Sequence, residues 1–432
     1  MKIRFVTPYF PPEVGAPQTR IYELAVRLCK AGHEVSVITT FPNYPTGVVP
    51  KEWRGKLWWK GLQDGITIWR FWSYAAANRG FARRLTTHLT FAGSSASGGL
   101  LLPQCDVMIV ESPPLFDGFS AVVLSTLRRT PYAFMVSDLW PESAVQMGII
   151  RNKSIIRASK WLELYFYRHA ELILGLTRGI CDKINADGVP SDKIELFRNS
   201  VDCDFFRPGL NSGPIRRELK IDDHEFVAVY AGTLGLAQGL STVLHAAALI
   251  KLKTQARVRF VLAGNGAESE KLRYEATRLG LSNVLLVDSL SKARMPELLN
   301  AADCILVPLR DLEIFRGALP TKMFEGMACA KPLVLGVQGE AKDLVEGAAA
   351  GYCVKPGSPE AICSAVLSLA ANPEKARQMG ENGRRLVLTE FSREARTDQL
   401  AGYLSRIAGK KQFLSNALGH QLSPRRLKSL IR

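Results

Sequence analysis

Two doubly wound, Rossmann-like α/β domains in series, facing across a cleft, are the fold this sequence predicts, on three observations. Short apolar runs alternate with amphipathic helical patterns from the first residues, as parallel strands with helical crossovers require. The alternation stops at a turn-rich stretch, Asp202 to Gly209, continues through the polar run Asn211 to His224, and then begins again. A chain of 432 residues also exceeds what one hydrophobic core usually organises, so two cores are expected.

Taken in order, Ile3 to Thr7 reads as a strand, Thr19 to Lys30 as a helix and Glu34 to Thr40 as the next strand, a βαβ opening. Further strands are expected at Asp106 to Glu111, Tyr132 to Ser137, Glu171 to Leu176 and Lys193 to Phe197, each reached through a helix-length connection. After the break, Phe226 to Ala231, Val258 to Ala263, Val284 to Val287 and Cys304 to Val307 read as strands. Helices near Leu240 to Lys251, Ser269 to Leu279 and Arg294 to Ala301 lie between them. The first domain is therefore assigned residues 1–207 and the second 208–390. The helical stretch Pro373 to Ala408 has no strand partner, so 391–408 is read as crossing back to the first domain, with 409–432 a basic tail. Ligands of open α/β sheets bind outside the carboxyl ends of the strands, which places substrate between the two halves.

Charge narrows the partner. A net charge of +16 and a pI near 9.6 imply nucleic acid, an anionic membrane surface or a phosphorylated substrate. Nucleic acid is disfavoured, because no recognition-motif spacing is present and the cations cluster beside tryptophans. That clustering is densest in 48–102, where Trp53, Trp58, Trp59, Trp69 and Trp72 mix with Lys51, Arg54, Lys56, Lys60, Arg79, Arg83 and Arg84. Indoles and cations favour a membrane interface, although core tryptophans under a solvated charged face give the same composition. The tail adds Lys410, Lys411, Arg425, Arg426, Lys428 and Arg432 without an acid. The eight cysteines are scattered with no CxxC pair, so they read as reduced thiols with neither a metal site nor a disulfide framework. The start MKIRFVTPYFPP runs directly into a strand, and no apolar stretch reaches about 18 residues. A cytoplasmic protein, peripheral on the inner face of the plasma membrane, is expected.

Chemistry concentrates at strand ends. Leu319 to Pro332, LPTKMFEGMACAKP, puts a Pro320-Thr321-Lys322 turn at the start of a short helix. Unpaired amides and the positive dipole end make such a turn a phosphate seat, Lys322 adds a full charge, and Glu325 one turn on is suited to a ribose diol. An amphipathic helix with Met323, Phe324 and Met327 in the core is the alternative. The loop Tyr230 to Leu240, holding Gly232, Thr233 and Gln238, joins strand to helix through glycines, as does Gly264-Asn265-Gly266 after the next strand. Near the amino terminus, Gly15 allows close backbone approach beside a helix start, but the loop lacks GxGxxG spacing, which disfavours a dinucleotide cofactor. Asp138, in Ser137-Asp138-Leu139-Trp140-Pro141-Glu142-Ser143, follows a strand, where it orients an acceptor hydroxyl, acts as a base or caps the next helix.

Together these motifs carry a resemblance. YFPPEVGAPQTR, AGHEVSVITTFPNYPTG, SDLWPESAVQMG, NSVD, YAGTLGLAQGL, LAGNG, RMPELLNAADCILVPL and LPTKMFEGMACAKP span nearly the whole chain. It resembles the retaining glycosyltransferases of the GT-B fold, family 4, and within them the WbuB-like, colanic-acid-type subgroup that builds O-antigen and exopolysaccharide. The resemblance implies transfer of a sugar from a nucleotide donor, UDP-sugar favoured, to a polyprenyl-diphosphate-linked acceptor, without cofactor or metal. It further implies that the second domain holds the donor and the first the acceptor. Gly15 would approach the donor phosphate or sugar, Glu325 the ribose, Asn265 and Asp288 to Leu290 the base, and Asp138 the reacting sugar.

Three departures mark this chain. Thr233 and Gln238 stand where many members have an Arg and a Lys, Gly317 replaces the first acid of a Glu-x7-Glu pair, and Ser137 replaces a His. A leaving nucleoside diphosphate gains negative charge, so other cations must meet it: Lys322 first, with Arg198 and Arg316 behind it. A sugar-nucleotide epimerase on the same fold and a catalytically silent nucleotide-sugar-binding subunit are the alternative readings.

Overall fold

The computed structural model describes every residue except 14, 45, 77–80, 147–149, 254–255 and 422–432. Arg79 and the tail cations Arg425, Arg426, Lys428 and Arg432 lie outside the described residues, as do the side chains of Lys410 and Lys411. Two units result: Met1–Arg198 with the chain from Arg396 onward, and Asn199–Ala395.

The first unit opens with β1 (Lys2–Val6), α1 (Ala16–Lys30) and β2 (Glu34–Thr40). There follow β3 (Trp58–Gln63), β4 (Ile66–Phe71), α2 (Phe81–Leu101), β5 (Val107–Ser112), α3 (Asp117–Arg128) and β6 (Tyr132–Val136). The short α4 (Glu142–Gln146), then α5 (Lys153–His169), β7 (Leu172–Gly175), α6 (Arg178–Ala186) and β8 (Ile194–Leu196) complete its sheet. Strand order is β3-β4-β2-β1-β5-β6-β7-β8, parallel except for the antiparallel β3–β4 pair. Every residue of β5, β6 and β7 is buried, because helices cover both faces; that is why these strands read as unbroken apolar runs.

In the second unit, α7 (Gly213–Glu218), β9 (Phe226–Ala231), α8 (Ser241–Lys253), β10 (Val258–Ala263), α9 (Ser269–Arg278), β11 (Val284–Val287) and α10 (Met295–Ala301) come first. Next are β12 (Cys304–Pro308), α11 (Thr321–Ala328), β13 (Leu333–Gly336), α12 (Glu340–Gly347), β14 (Gly351–Cys353) and α13 (Pro359–Ala371). The last two helices are α14 (Pro373–Glu390) and α15 (Arg393–Gln421). All six strands are parallel, ordered β11-β10-β9-β12-β13-β14. The two α/β domains that the sequence predicts are both present. None of the eight cysteines is in a disulfide, and five of them are buried.

Two regions differ from the sequence reading. The segment 48–102 does not merely interrupt the alternation: it folds as the β3–β4 hairpin followed by α2. The hairpin turns at Asp64-Gly65 with φ of 50° and 80°, the two successive positive values a tight two-residue turn needs. In β4, Ile66 and Ile68 are buried while Thr67 and Trp69 are only half-buried, an alternation the tryptophans obscured. The short strands β13 and β14 were too brief to stand out from the flanking helices.

The division between units falls at Arg198, ahead of the turn-rich stretch. Val201 pairs with Ser392, its amide donating to the Phe391 carbonyl at 3.0 Å, and the Arg384 guanidinium donates to the carbonyls of Cys203 and Phe206. These bonds tie the stretch to the second unit. In turn α15 buries Leu400, Leu404 and Ile407 in the first unit's core. Replacing Leu404 by Ala removes a fully buried side chain and should cost about 3 kcal/mol. Urea unfolding checks this: the first unit's transition moves to lower denaturant while the second unit's stays.

Candidate active site

Chain order runs outward in both directions from β9 and β12, so the second sheet's switch point lies between these two neighbours. Loops leaving adjacent strands in opposite directions open a crevice at their carboxyl ends, which is where such sheets bind ligands. The loop after β9 and the loop after β10 are pressed together backbone to backbone. Gly232 donates its amide to the Ala263 carbonyl at 2.9 Å, and Leu234 donates to the Asn265 carbonyl at 3.0 Å. A Cβ at Gly264 would lie 1.8 Å from the Gly232 carbonyl oxygen, and both glycines have φ near +145°, at 149° and 144°. Only glycine fits there.

From the β12 side, a 3-10 turn, Glu313–Gly317, leads to Pro320 and the start of α11. Pro320 caps the helix without a side-chain hydrogen bond, so Thr321 and Lys322 occupy its first turn, whose amides point forward. Lys322 Nζ donates to the Tyr230 hydroxyl at 2.7 Å, and that hydroxyl donates to the Thr233 carbonyl at 2.6 Å. A Cβ at Gly232 would be 3.1 Å from the same Nζ. The β9 loop and α11 are thus joined through one ammonium group.

Electrostatics follow from this burial. Desolvation pushes the Lys322 ammonium down to about 8, against the pull of Glu325, which favours the charged form. The Glu325 carboxyl is raised by burial, opposed by Lys322 and Lys292. Lys292, whose Nζ lies 5.6 Å from the Phe205 ring centroid, is lowered by burial and held up by Asp202 and Glu325. Two ammonium groups therefore flank one carboxylate beside a helix amino terminus. That arrangement can take an anion at the amides and Lys322, and a diol at Glu325.

The structure brings Gly232, Thr233, Lys322, Pro320, Thr321 and Glu325 to this one sheet edge. Asn265 sits on the adjoining loop; with its amide nitrogen toward the acceptors it donates to Asp288 Oδ1 at 3.3 Å and to the Gly264 carbonyl at 3.0 Å. Asp288 is also paired with Arg273 at 2.6 Å, and Leu290 packs against the core below. Gln238 lies in the 3-10 turn Leu236–Gln238, with its amide bonded back to Gly235. Arg316 belongs to the other 3-10 turn, where a Cβ at Gly339 would meet the Arg316 carbonyl at 2.1 Å.

Gly15, Asp138 and Arg198 belong to the first unit. Gly15 is the N-cap of α1 in extended conformation, and its carbonyl accepts from Thr19 at 3.0 Å. Asp138 follows β6; burial raises its carboxyl, while the Ser143 hydroxyl and the Leu139 amide oppose that. Ser143 lies in the first turn of α4 and Leu139 in the stretch before it, so both partners of Asp138 sit in the connection that leaves β6. Among the described residues, no group of three or more His, Cys, Asp or Glu could hold a metal ion.

Comparison with known proteins identifies the two halves. Residues 15–200 match the glycosyl transferase 4-like domain, and residues 211–386 match the domain of glycosyl transferases group 1. The chain carries both of these glycosyl transferase domains. WcaI of Escherichia coli, which carries the provisional name of a colanic acid biosynthesis glycosyl transferase, is 24% identical over 420 residues, 92% of this chain and 100% of that one. Sucrose-phosphate synthase from Thermosynechococcus elongatus superposes with a TM-score of 0.74 at 17% identity, over 95% of this chain and 99% of the other. Anabaena HepE in complex with UDP-glucose gives 0.70 at 16% identity, over 94% and 100%. The glycosyltransferase accordingly has the GT-B type of paired α/β domains.

Two groups in the cluster escaped the sequence reading. Tyr230, which fixes Lys322, looked like one more core residue of an apolar strand; its signal was a phenol at the strand's next-to-last position. Lys292 sat in an ordinary Ser-Lys-Ala-Arg loop and becomes notable only through its nearness to Glu325. With Lys322 depressed to about 8, an anion seated on it favours the protonated form. UDP binding near pH 8.5, half a unit above about 8, should therefore take up protons, whereas binding near pH 6 should not. Titration calorimetry in buffers of different ionisation enthalpy measures this. Tyr230→Phe removes an acceptor from the ammonium and should move the onset of uptake to lower pH.

Proposed function

We propose that the glycosyltransferase moves a sugar from a nucleotide donor, UDP-sugar favoured, to a lipid-linked saccharide acceptor, with retention at the anomeric carbon, in bacterial O-antigen, capsule or exopolysaccharide synthesis. The observation that carries this reading is the Lys322–Tyr230–Thr233 chain at the switch point, with Glu325 one helical turn behind. The donor diphosphate lies on the first-turn amides of α11 and on Lys322, and Glu325 accepts the ribose hydroxyls. Asn265 and the loop through Leu290 lie beside the base. The naming of WcaI for colanic acid biosynthesis and the UDP-glucose bound to HepE support polysaccharide synthesis and a uridine donor.

Breaking the glycosidic bond leaves its electron pair on the diphosphate. The charged Lys322 and the helix amides stabilise that developing charge more than they stabilise the bound donor. The acceptor hydroxyl attacks on the same face and its proton passes to the leaving phosphate, so no metal or protein base is required. Asp138 orients the reacting sugar, and Gly15 gives backbone room for the donor. Gly232, Thr233 and Gln238 line the diphosphate without charge, with Arg198 and Arg316 as secondary cations. The neutral Thr233 and Gln238 also favour a second reading, a subunit that binds nucleotide sugar without transfer.

Lys322→Ala should lower turnover roughly a hundredfold, the usual loss for one transition-state donor, while donor affinity changes only a few-fold. Steady-state kinetics with separate donor binding check this, and unchanged turnover removes Lys322 from the role. A thermal-shift panel of UDP-, GDP- and dTDP-sugars identifies the donor, since only a ligand of the folded state raises the melting temperature. Binding without transfer to any lipid-linked acceptor would favour the silent subunit. Because Glu325 is raised by burial, UDP affinity should also fall on acidification at higher pH than for an exposed glutamate, and Glu325→Gln should abolish that dependence.

A further inference from the structure

The outer edge of the first sheet is built from groups that the donor site does not use. β3 is the terminal strand, paired on one side only, with β4. Its alternation sets Trp58, Lys60 and Leu62 on one face, opposite Phe71, Trp69 and Thr67 of β4. Trp58 and Leu62 are 61% and 75% exposed, and Leu57, just before the strand, is 74% exposed. Trp72, just after β4, is also exposed.

Cations are interleaved with these rings. Lys56 Nζ lies 5.3 Å from the Trp53 ring centroid and Lys60 Nζ lies 5.0 Å from that of Trp69. From Lys51 to Leu62 the cations Lys51, Arg54, Lys56 and Lys60 face a single acid, Glu52. Trp59, by contrast, folds over Gly61 and packs edge-on against Trp53 at 4.8 Å, which stiffens the platform that presents the exposed groups.

We propose that this hairpin edge docks on an anionic lipid surface, with Trp58, Leu57 and Leu62 in the headgroup layer and Lys56 and Lys60 on lipid phosphates. Indoles prefer that layer because one side of the ring is apolar and the N–H needs a partner, and clustered cations are attracted to anionic headgroups. The strand edge sets the depth. Its unpaired N–H and C=O groups would go unsatisfied in hydrocarbon, so the hairpin rests among hydrated headgroups and does not insert further. Among the described residues no helix is long and apolar enough to cross a membrane. A second copy of the chain is a poor occupant: adding it strand to strand would set Lys60 near the like charges of its counterpart, a common device against edge pairing.

This inference stands apart from the Lys322 reading, because vesicle binding needs no donor. The test is flotation of the full chain with vesicles of phosphatidylcholine alone or mixed with phosphatidylglycerol. The chain should float with the anionic vesicles only, and added salt should weaken it. The double variant Lys56→Gln with Lys60→Gln should lose about tenfold or more of its partition. Trp58→Ala with Leu62→Ser should lose partition too, and both variants should keep the parent melting curve. Undiminished flotation in folded variants would overturn the proposal, as would equal binding to neutral vesicles. So would a dimer, seen by light scattering, that the same variants abolish.

Discussion

The approach of the Gly264 backbone to the Gly232 carbonyl is the contact on which the second unit's sheet edge depends. No side chain fits between them, and the two amide bonds from Gly232 and Leu234 to the neighbouring strand end hold the loop down. Held there, the loop presents the Thr233 carbonyl at a fixed place. The Tyr230 hydroxyl reaches it from the strand, and the hydroxyl's free lone pairs accept Lys322 from a helix that begins on a different strand. One steric constraint thereby sets the position of a charge.

That charge is concentrated rather than spread. The β9 loop contributes Thr233 and Gln238, both neutral, so Lys322, Lys292 and the start of α11 supply positive potential that the loop itself does not. Burial already disfavours the Lys322 ammonium, as its lowered pKa records. An incoming anion relieves that disfavour, which couples ligand binding to proton uptake above about pH 8, where a solvated lysine would already be charged and would show no such coupling. Glu325 has the reverse problem, a carboxyl raised by the same burial and kept ionisable by the two lysines. Each of the three charged forms is disfavoured by burial and favoured by an opposite charge among its neighbours.

Much of the fold was legible because the physics is local and periodic. Fully buried parallel strands such as Val258–Ala263 stand out as apolar runs, and glycines mark the sheet edge on which ligands sit. The β3–β4 hairpin was hidden because its tryptophans face both ways, although Asp64-Gly65 was a turn signal in plain view. At the site, Lys322 and Glu325 were readable from a turn running into a helix. Tyr230 was not, because its role comes from a contact between residues 92 apart in sequence. Lys292 was obscured for the same reason: proximity through the sheet leaves no mark in its neighbours. That the last helix crosses back was expected from its lack of a strand partner; its docking, by Leu400, Leu404 and Ile407 at helical spacing, is the long-range part.

A crystal structure of the chain with UDP tests this arrangement of charge most directly. The β-phosphate should lie within hydrogen-bond distance of Lys322 Nζ and the first-turn amides of α11, with both ribose hydroxyls on Glu325. A diphosphate seated away from the Gly232–Lys322 crevice, with the Lys322–Tyr230 bond undisturbed and Glu325 untouched, would contradict it.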